Sequence, residues 1–236
     1  MRPSALDRLA ADEVAATVTA LSARIEARFP GRGLTRVAEH LTALVATVDQ
    51  LTTDTAVAVR RARGVARAAT GLVVLAAVAL LALAARDAAS DRGPDSSLDW
   101  LPLLESAVND VVFVAIAVFF LWSVPERLQR RSILQVLHRL RSLAHVIDMH
   151  QLTKDPERLR ERFRATAVSP DNDLDRDQME RYLDYCSELL SLVGKAAALC
   201  AETSQDPVVL DSVGDLETLT TGMSRKIWQK IEALPE

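Results

Sequence analysis

Hydrophobic residues recur at alternating spacings of three and four along most of the chain, which is typical of α-helices that bury one narrow face. The pattern predicts helices over 4–29, 34–85, 102–152 and 174–203, and a last helix from 207 onward. Their buried seams are Val14, Val18, Leu21 and Ile25; Leu34, Val37, Leu41, Leu44, Val48, Leu51 and Thr55; Ile133, Leu137, Leu140, Ala144 and Ile147; Tyr182, Cys186, Leu189, Val193, Ala196 and Cys200; and Val213, Leu216, Thr220, Met223, Ile227 and Leu234. No useful length alternates with period two, so we predict no sheet.

Residues that start or stop helices stand at the expected ends of these segments. Ser4 with Asp7 fits an acidic variant of a capping box for the first helix, and Pro30-Gly31 ends it. Asp155-Pro156 predicts a short helix over PERLRERFRAT, and Asp206-Pro207 predicts the start of the last helix.

Two segments are apolar enough to suggest a membrane. The 18 residues of 68–85 carry no charge and would span ~27 Å as a helix, close to the ~30 Å hydrocarbon core of a bilayer. A second uncharged run covers 111–124 and reaches about 18 residues if counted from Val108 to Pro125. We predict a transmembrane helical hairpin; the alternative is a pair of helices buried in a large soluble core. The first run begins too far into the chain to be a signal peptide.

The arginines flanking these runs predict the orientation of the hairpin. Basic residues precede the first run and follow the second, whereas the loop 86–103 combines two arginines with four aspartates. The basic flanks are Arg60, Arg61, Arg63, Arg67, Arg127, Arg130, Arg131, Arg139 and Arg141. The positive-inside rule then places both termini in the cytoplasm of a bacterial inner-membrane protein, and Trp100 and Trp122 fall near opposite interfaces.

These observations predict an all-α membrane protein. Its transmembrane hairpin extends into a cytoplasmic antiparallel helical bundle or coiled coil. The predicted organisation is N-terminal cytoplasmic helices over 1–67, spans at 68–85 and 108–125, an external loop over 86–107, and a C-terminal cytoplasmic bundle over 126–236.

Charge and cysteine content limit the kinds of partner and cellular compartment that the sequence predicts. The net charge of −4 does not favour nucleic-acid binding. Cys186 and Cys200 share one predicted helix, where 14 residues correspond to ~21 Å, too far for a disulfide. We interpret both as small core residues in a reducing compartment. Nothing in the sequence indicates a cofactor.

Polar residues at the outer entry of the second run form a candidate ion path. Glu105 and Asn109 are four residues apart and share a helix face, and Asp110 follows directly. A ring of such groups in an oligomer could select cations. The alternative is that the span begins at Val108 and these residues meet headgroups and water.

Metal binding is poorly supported. His145, Asp148 and His150 offer at most three ligands, with His150 turned to another face, and the HExxH spacing is absent. The acidic run from Asp171 to Tyr182 lacks the glycine and glutamate of a calcium loop. We therefore predict no metal site and interpret these residues as part of a helix surface or of a polar contact between helices. Asp148 and His150 are kept as candidate residues for docking a partner.

A local basic cluster follows, formed by Arg158, Arg160, Arg162 and Arg164. It could contact anionic lipid or RNA, but Glu157 and Glu161 dilute its charge, and a solvated surface explains it as well. Arg158 and Arg162 are kept as candidate residues for docking a partner.

Three segments resemble a family of bacterial two-span membrane proteins with no established activity: HVIDMHQLTKDPERL at 145–159, ERYLDYCSELLSLVGKAAAL at 180–199 and LTTGMSRKIWQKI at 219–231. The resemblance covers mainly the region from the second span to the C-terminus. It implies a bacterial membrane setting and no mechanism.

No glycine-rich phosphate loop, GxSxG motif or suggestive Cys–His pair is present in the sequence. We therefore predict a non-enzymatic inner-membrane scaffold or signalling protein that self-associates or docks a cytoplasmic protein through its bundle. The alternative is an oligomeric ion channel or membrane-disrupting effector gated by the bundle, and a membrane-bound enzyme is a third reading.

Overall fold

The computed structural model describes residues 9–89, 100–169, 173–202 and 204–235, and its regular structure is helical throughout. The helices are α1 (Ala11–Arg28), α2 (Gly33–Ala89), α3 (Trp100–Leu152), α4 (Arg176–Ala201) and α5 (Pro207–Glu232), with a short 3-10 helix (Pro156–Leu159) between α3 and α4. No strand occurs within the described ranges. The prediction of an all-helical fold is therefore confirmed.

The helix ends follow local chemistry. Gly31 has φ of 70°, a left-handed conformation that glycine adopts at little cost, and it separates α1 from α2. The prediction of a short helix over PERLRERFRAT is wrong in extent, because only Pro156–Leu159 is helical, and it forms a 3-10 helix. The predicted cap at Ser4 and Asp7 lies outside the described residues.

The chain divides into two compact units. Unit 1 comprises Met1–Thr53 and Arg130–Glu236, and unit 2 comprises Asp54–Gln129. The long helices α2 and α3 contribute to both units.

Unit 1 is a helical bundle with one continuous apolar core. All five helices contribute buried residues to this core. Every predicted seam residue is buried except Leu51, which is partly buried, and Thr55, whose side chain lies outside the described residues. Seam spacing therefore predicted the core correctly, as expected where helices meet through narrow faces.

Contacts at the two ends of unit 1 give the helix directions. Near one end, the ring centroids of Phe29 and Tyr182 are 5.4 Å apart, so the end of α1 meets the beginning of α4. At the same end, Nζ of Lys230 in α5 lies 3.0 Å from the carbonyl oxygen of Gln151 in α3. At the other end, Nε of Arg130 lies 2.5 Å from Oδ2 of Asp206. Thus α3 and α5 run parallel, and α1 and α4 antiparallel.

Unit 2 has a different surface, because large apolar side chains face outward on both of its helical segments. They are Val65, Leu72, Val74, Leu75 and Val78 on α2 and Val108, Val111, Val112, Phe113, Ile116, Phe119 and Phe120 on α3. Each segment also has one face that is less exposed than the others. On α2 this face contains the partly buried Val73 and Ala77, and on α3 it contains Val114 and Val118; the members of each pair are four residues apart.

Among the residues that the structure describes, no helix has an 18-residue stretch that is both apolar enough and poor enough in charge to cross a membrane. The structure therefore does not show the transmembrane spans that the sequence predicts at 68–85 and 108–125.

Candidate functional site

The candidate ion-path residues lie on α3 in unit 2. Glu105 and Asn109 are both exposed, while the side chain of Asp110 is outside the described residues. Their common face agrees with the i, i+4 spacing, but an ion path remains a prediction.

The four candidate docking residues have different environments. Asp148 accepts a hydrogen bond of 2.8 Å from Nε2 of Gln151. His150 is half-buried and contacts other helices, as described below. Arg158 lies with its Cζ 5.5 Å from the ring centroid of Phe163, and Arg162 is exposed. Interhelix contact is thus confirmed for His150, whereas partner docking remains a prediction for all four.

The structure groups His150 with residues that the motifs did not highlight. We define the end cluster as His150, Lys154, Tyr182 and Lys230, at the end of unit 1 where α3 ends and α4 begins. Oη of Tyr182 lies 3.4 Å from Nδ1 of His150. A methyl group on Gly33 would lie 2.7 Å from Cε1 of His150, so the imidazole is packed directly against the start of α2.

Tyr182 is the apolar base of the end cluster. Its side chain is buried, and the ring packs edge-on against Phe29 with a centroid distance of 5.4 Å. Burial raises the pKa of the Tyr182 hydroxyl, so the phenol is neutral. Nζ of Lys154 lies 5.1 Å from the centroid of the same ring, a distance typical of a cation–π contact.

Lys230 closes the C-terminal end of α3. Its Nζ donates to the carbonyl oxygens of Gln151 at 3.0 Å and Lys154 at 3.4 Å. Carbonyls at a helix C-terminus lack a partner within the helix and carry partial negative charge, which favours a nearby ammonium group. The carbonyl of Gln151 accepts from Lys230 and also from the backbone N–H of Lys154. Burial lowers the pKa of Lys230, while Asp155 and Asp148 oppose that shift. This lysine therefore has a structural role.

An ion pair flanks the end cluster. Nη2 of Arg32 lies 2.6 Å and 2.8 Å from the two carboxylate oxygens of Asp173. The hydrogen bond from Arg32 holds the pKa of Asp173 below its usual range. This pair links the turn after α1 to the segment before α4.

The positive surroundings of His150 favour its neutral form. Burial lowers the pKa of this imidazole, and the charges of Lys154 and Arg36 lower it further. On acidification the unfolded chain therefore takes up its proton first, at about the ordinary pKa of 6.5.

We expect the free energy of unfolding to fall as the pH drops below about 6.5, until the lower folded-state pKa is passed. His150→Gln should reduce this fall, because the substitution removes the titrating group. Chemical denaturation between about pH 7 and about pH 5.5 measures the difference. His145→Gln, on the exposed face of α3, is the matched control and should behave as wild type. Equal pH dependence in all three proteins would contradict the assignment to His150.

Features considered for metal or nucleophilic chemistry have structural roles. Asp175 caps α4, and its side chain accepts a 2.8 Å hydrogen bond from the backbone N–H of Gln178. Within the described residues, no group of three or more His, Cys, Asp or Glu could hold a metal ion. Cys186 is fully buried and burial raises the pKa of its thiol, so it is not an activated nucleophile.

Sequence reasoning did not single out Lys154, Lys230 or Arg32. A partial signal was available, because a lysine shortly after the end of a predicted helix is suited to interact with its last carbonyls. Lys154 occupies such a position, but the lysine that donates to these carbonyls comes from α5, 79 residues after Gln151.

No protein-family model matches the sequence, and comparison with curated proteins and with solved structures finds no match either.

Proposed function

We propose that the protein is a non-enzymatic scaffold of the bacterial inner membrane. In this proposal unit 2 enters the bilayer as a helical hairpin through 68–85 and 108–125, and both chain ends remain in the cytoplasm. Unit 1 is the cytoplasmic bundle, which self-associates or docks another protein.

The proposal rests mainly on the difference in side-chain exposure between the two units. Leu72 is 71% exposed and Phe113 is 69% exposed in unit 2, whereas Leu41 and Leu140 in unit 1 are completely buried. Contiguous apolar surface of this kind is unfavourable in water and marks contact with lipid or protein. The uncharged run of 68–85, with arginines beyond its N-terminal end, favours lipid.

Support for a binding role rather than an enzymatic one comes from the end cluster. Its tyrosine is neutral, the nearby thiol of Cys186 is buried and protonated, and Lys230 is engaged with the end of α3. In the proposed scaffold, these three groups stabilise the helical bundle.

The proposal predicts the behaviour of the protein in cells and in mild detergent. It should sediment with membranes, resist extraction by alkaline carbonate, and dissolve on addition of detergent. A tag on either end should become accessible only after the cells are opened. The detergent-solubilised protein should elute as more than one 25.8 kDa chain, or with a bound protein, by size exclusion with light scattering. A carbonate-soluble protein contradicts the anchor, and a strict monomer without a partner contradicts the scaffold.

A further inference from the structure

Lys154 is a cation in an unusually buried place. The residue is only 8% exposed, in the turn that follows α3. Its ammonium nitrogen lies over the ring of Tyr182, 5.1 Å from the ring centroid. Removing an ammonium group from water is costly unless a compensating charge or hydrogen bond is present. Burial is the largest cause that lowers the pKa of Lys154.

The charges around Lys154 are mostly of the same sign. Arg32 and Arg158 both lower its pKa, whereas the carboxylate of Asp173 raises it. That carboxylate is already bound through both oxygens to Arg32, and its side chain is 76% exposed. The thiol of Cys186 is neutral and adds no negative charge. Of the ionised groups that act on Lys154, two are cations and the third is a carboxylate that Arg32 already binds.

Arg158 adds an unsatisfied donor to the same region. Its Nη1 atom is buried and has no hydrogen-bond acceptor among the residues that the structure describes. The guanidinium group rests near the ring of Phe163, which accounts for one face of the group but not for its N–H donors. A buried donor without an acceptor destabilises the folded state, and more so when the donor is charged.

We propose that Lys154 and Arg158 bind the phosphate group of a phosphorylated small molecule or lipid headgroup. A phosphate supplies negative charge for both cations and several acceptor oxygens for the guanidinium N–H groups. The two residues are four positions apart in the segment between α3 and α4. This binding site is independent of whether unit 2 enters a membrane.

Equilibrium dialysis of the detergent-solubilised protein against radiolabelled inorganic phosphate tests the site, with chloride keeping the ionic strength constant. We expect one phosphate per chain. Lys154→Gln and Arg158→Gln should each weaken binding about 10- to 100-fold, the range for loss of a charged hydrogen bond. The matched controls Lys195→Gln and Arg225→Gln remove exposed cations of the same types and should bind phosphate like wild type.

Displacement of the labelled phosphate by competitors distinguishes a phosphorylated small molecule from a lipid headgroup. Glycerol 3-phosphate and dihexanoyl phosphatidic acid should both displace it, while dihexanoyl phosphatidylcholine, whose phosphate is a diester, should not. Tighter displacement by phosphatidic acid identifies a lipid headgroup, and equal displacement identifies a small molecule. Absence of phosphate binding to the wild-type protein would overturn the proposal, as would binding that survives both test substitutions.

Discussion

The double variant Leu75→Arg/Val78→Arg should lose its membrane association. Both side chains are exposed on α2, 69% and 57% respectively, and both lie inside the uncharged run of 68–85. An arginine near the centre of a transmembrane helix costs about 2.5–3.5 kcal/mol, so two cost about 5–7 kcal/mol. The equilibrium constant for membrane insertion would then fall by at least about a thousandfold. Immunoblotting of carbonate-washed membranes measures the change.

The matched control places the same charges on exposed apolar positions of unit 1. Met149 and Leu152 are 67% and 61% exposed near the end of α3, so Met149→Arg/Leu152→Arg should remain in the membrane fraction. Circular dichroism checks that both variants keep their helix content. Retention of the unit 2 variant in the membrane, or equal release of both variants, would contradict the proposed anchor.

Hydrophobic spacing predicted the bundle because a helix fixes which residues share a face. Residues such as Val18 and Ile25 are seven apart, and both are fully buried. Even a polar-tipped residue, Tyr182, was placed correctly in the core by its spacing alone. The local periodicity of a chain is thus sufficient to identify buried faces before any packing partner is known.

The same spacing does not say which helix a face meets. His150 packs against Gly33, more than a hundred residues earlier, and its hydroxyl neighbour is Tyr182. These contacts depend on the order and direction of five helices, which the 3-4 pattern leaves open. The individual residues of the end cluster were visible in the sequence, but their assembly was not.

Helix caps show how local signals compete. The capping box of α4 is formed by Asp175 and Gln178, within a run that also suggested a distant likeness to a calcium loop. Capping requires only a side-chain oxygen and one backbone N–H group, whereas calcium requires several oxygen ligands converging on one point. At Asp175 the structure supports helix capping, which requires fewer groups than calcium binding does.

Leu189→Ala should strongly destabilise unit 1. Leu189 is completely buried at a seam position of α4, and truncation of a buried leucine typically costs about 2–5 kcal/mol through lost burial and the remaining cavity. Hydrogen exchange of the α4 backbone amides reports this loss without requiring unit 2 to unfold. Amides that exchange by opening of the bundle should exchange about 30-fold faster or more. Leu152→Ala, at a position 61% exposed on α3, is the control and should change stability by less than about 0.5 kcal/mol. Equal protection of α4 in the two variants would show that the seam does not carry the stability of the bundle.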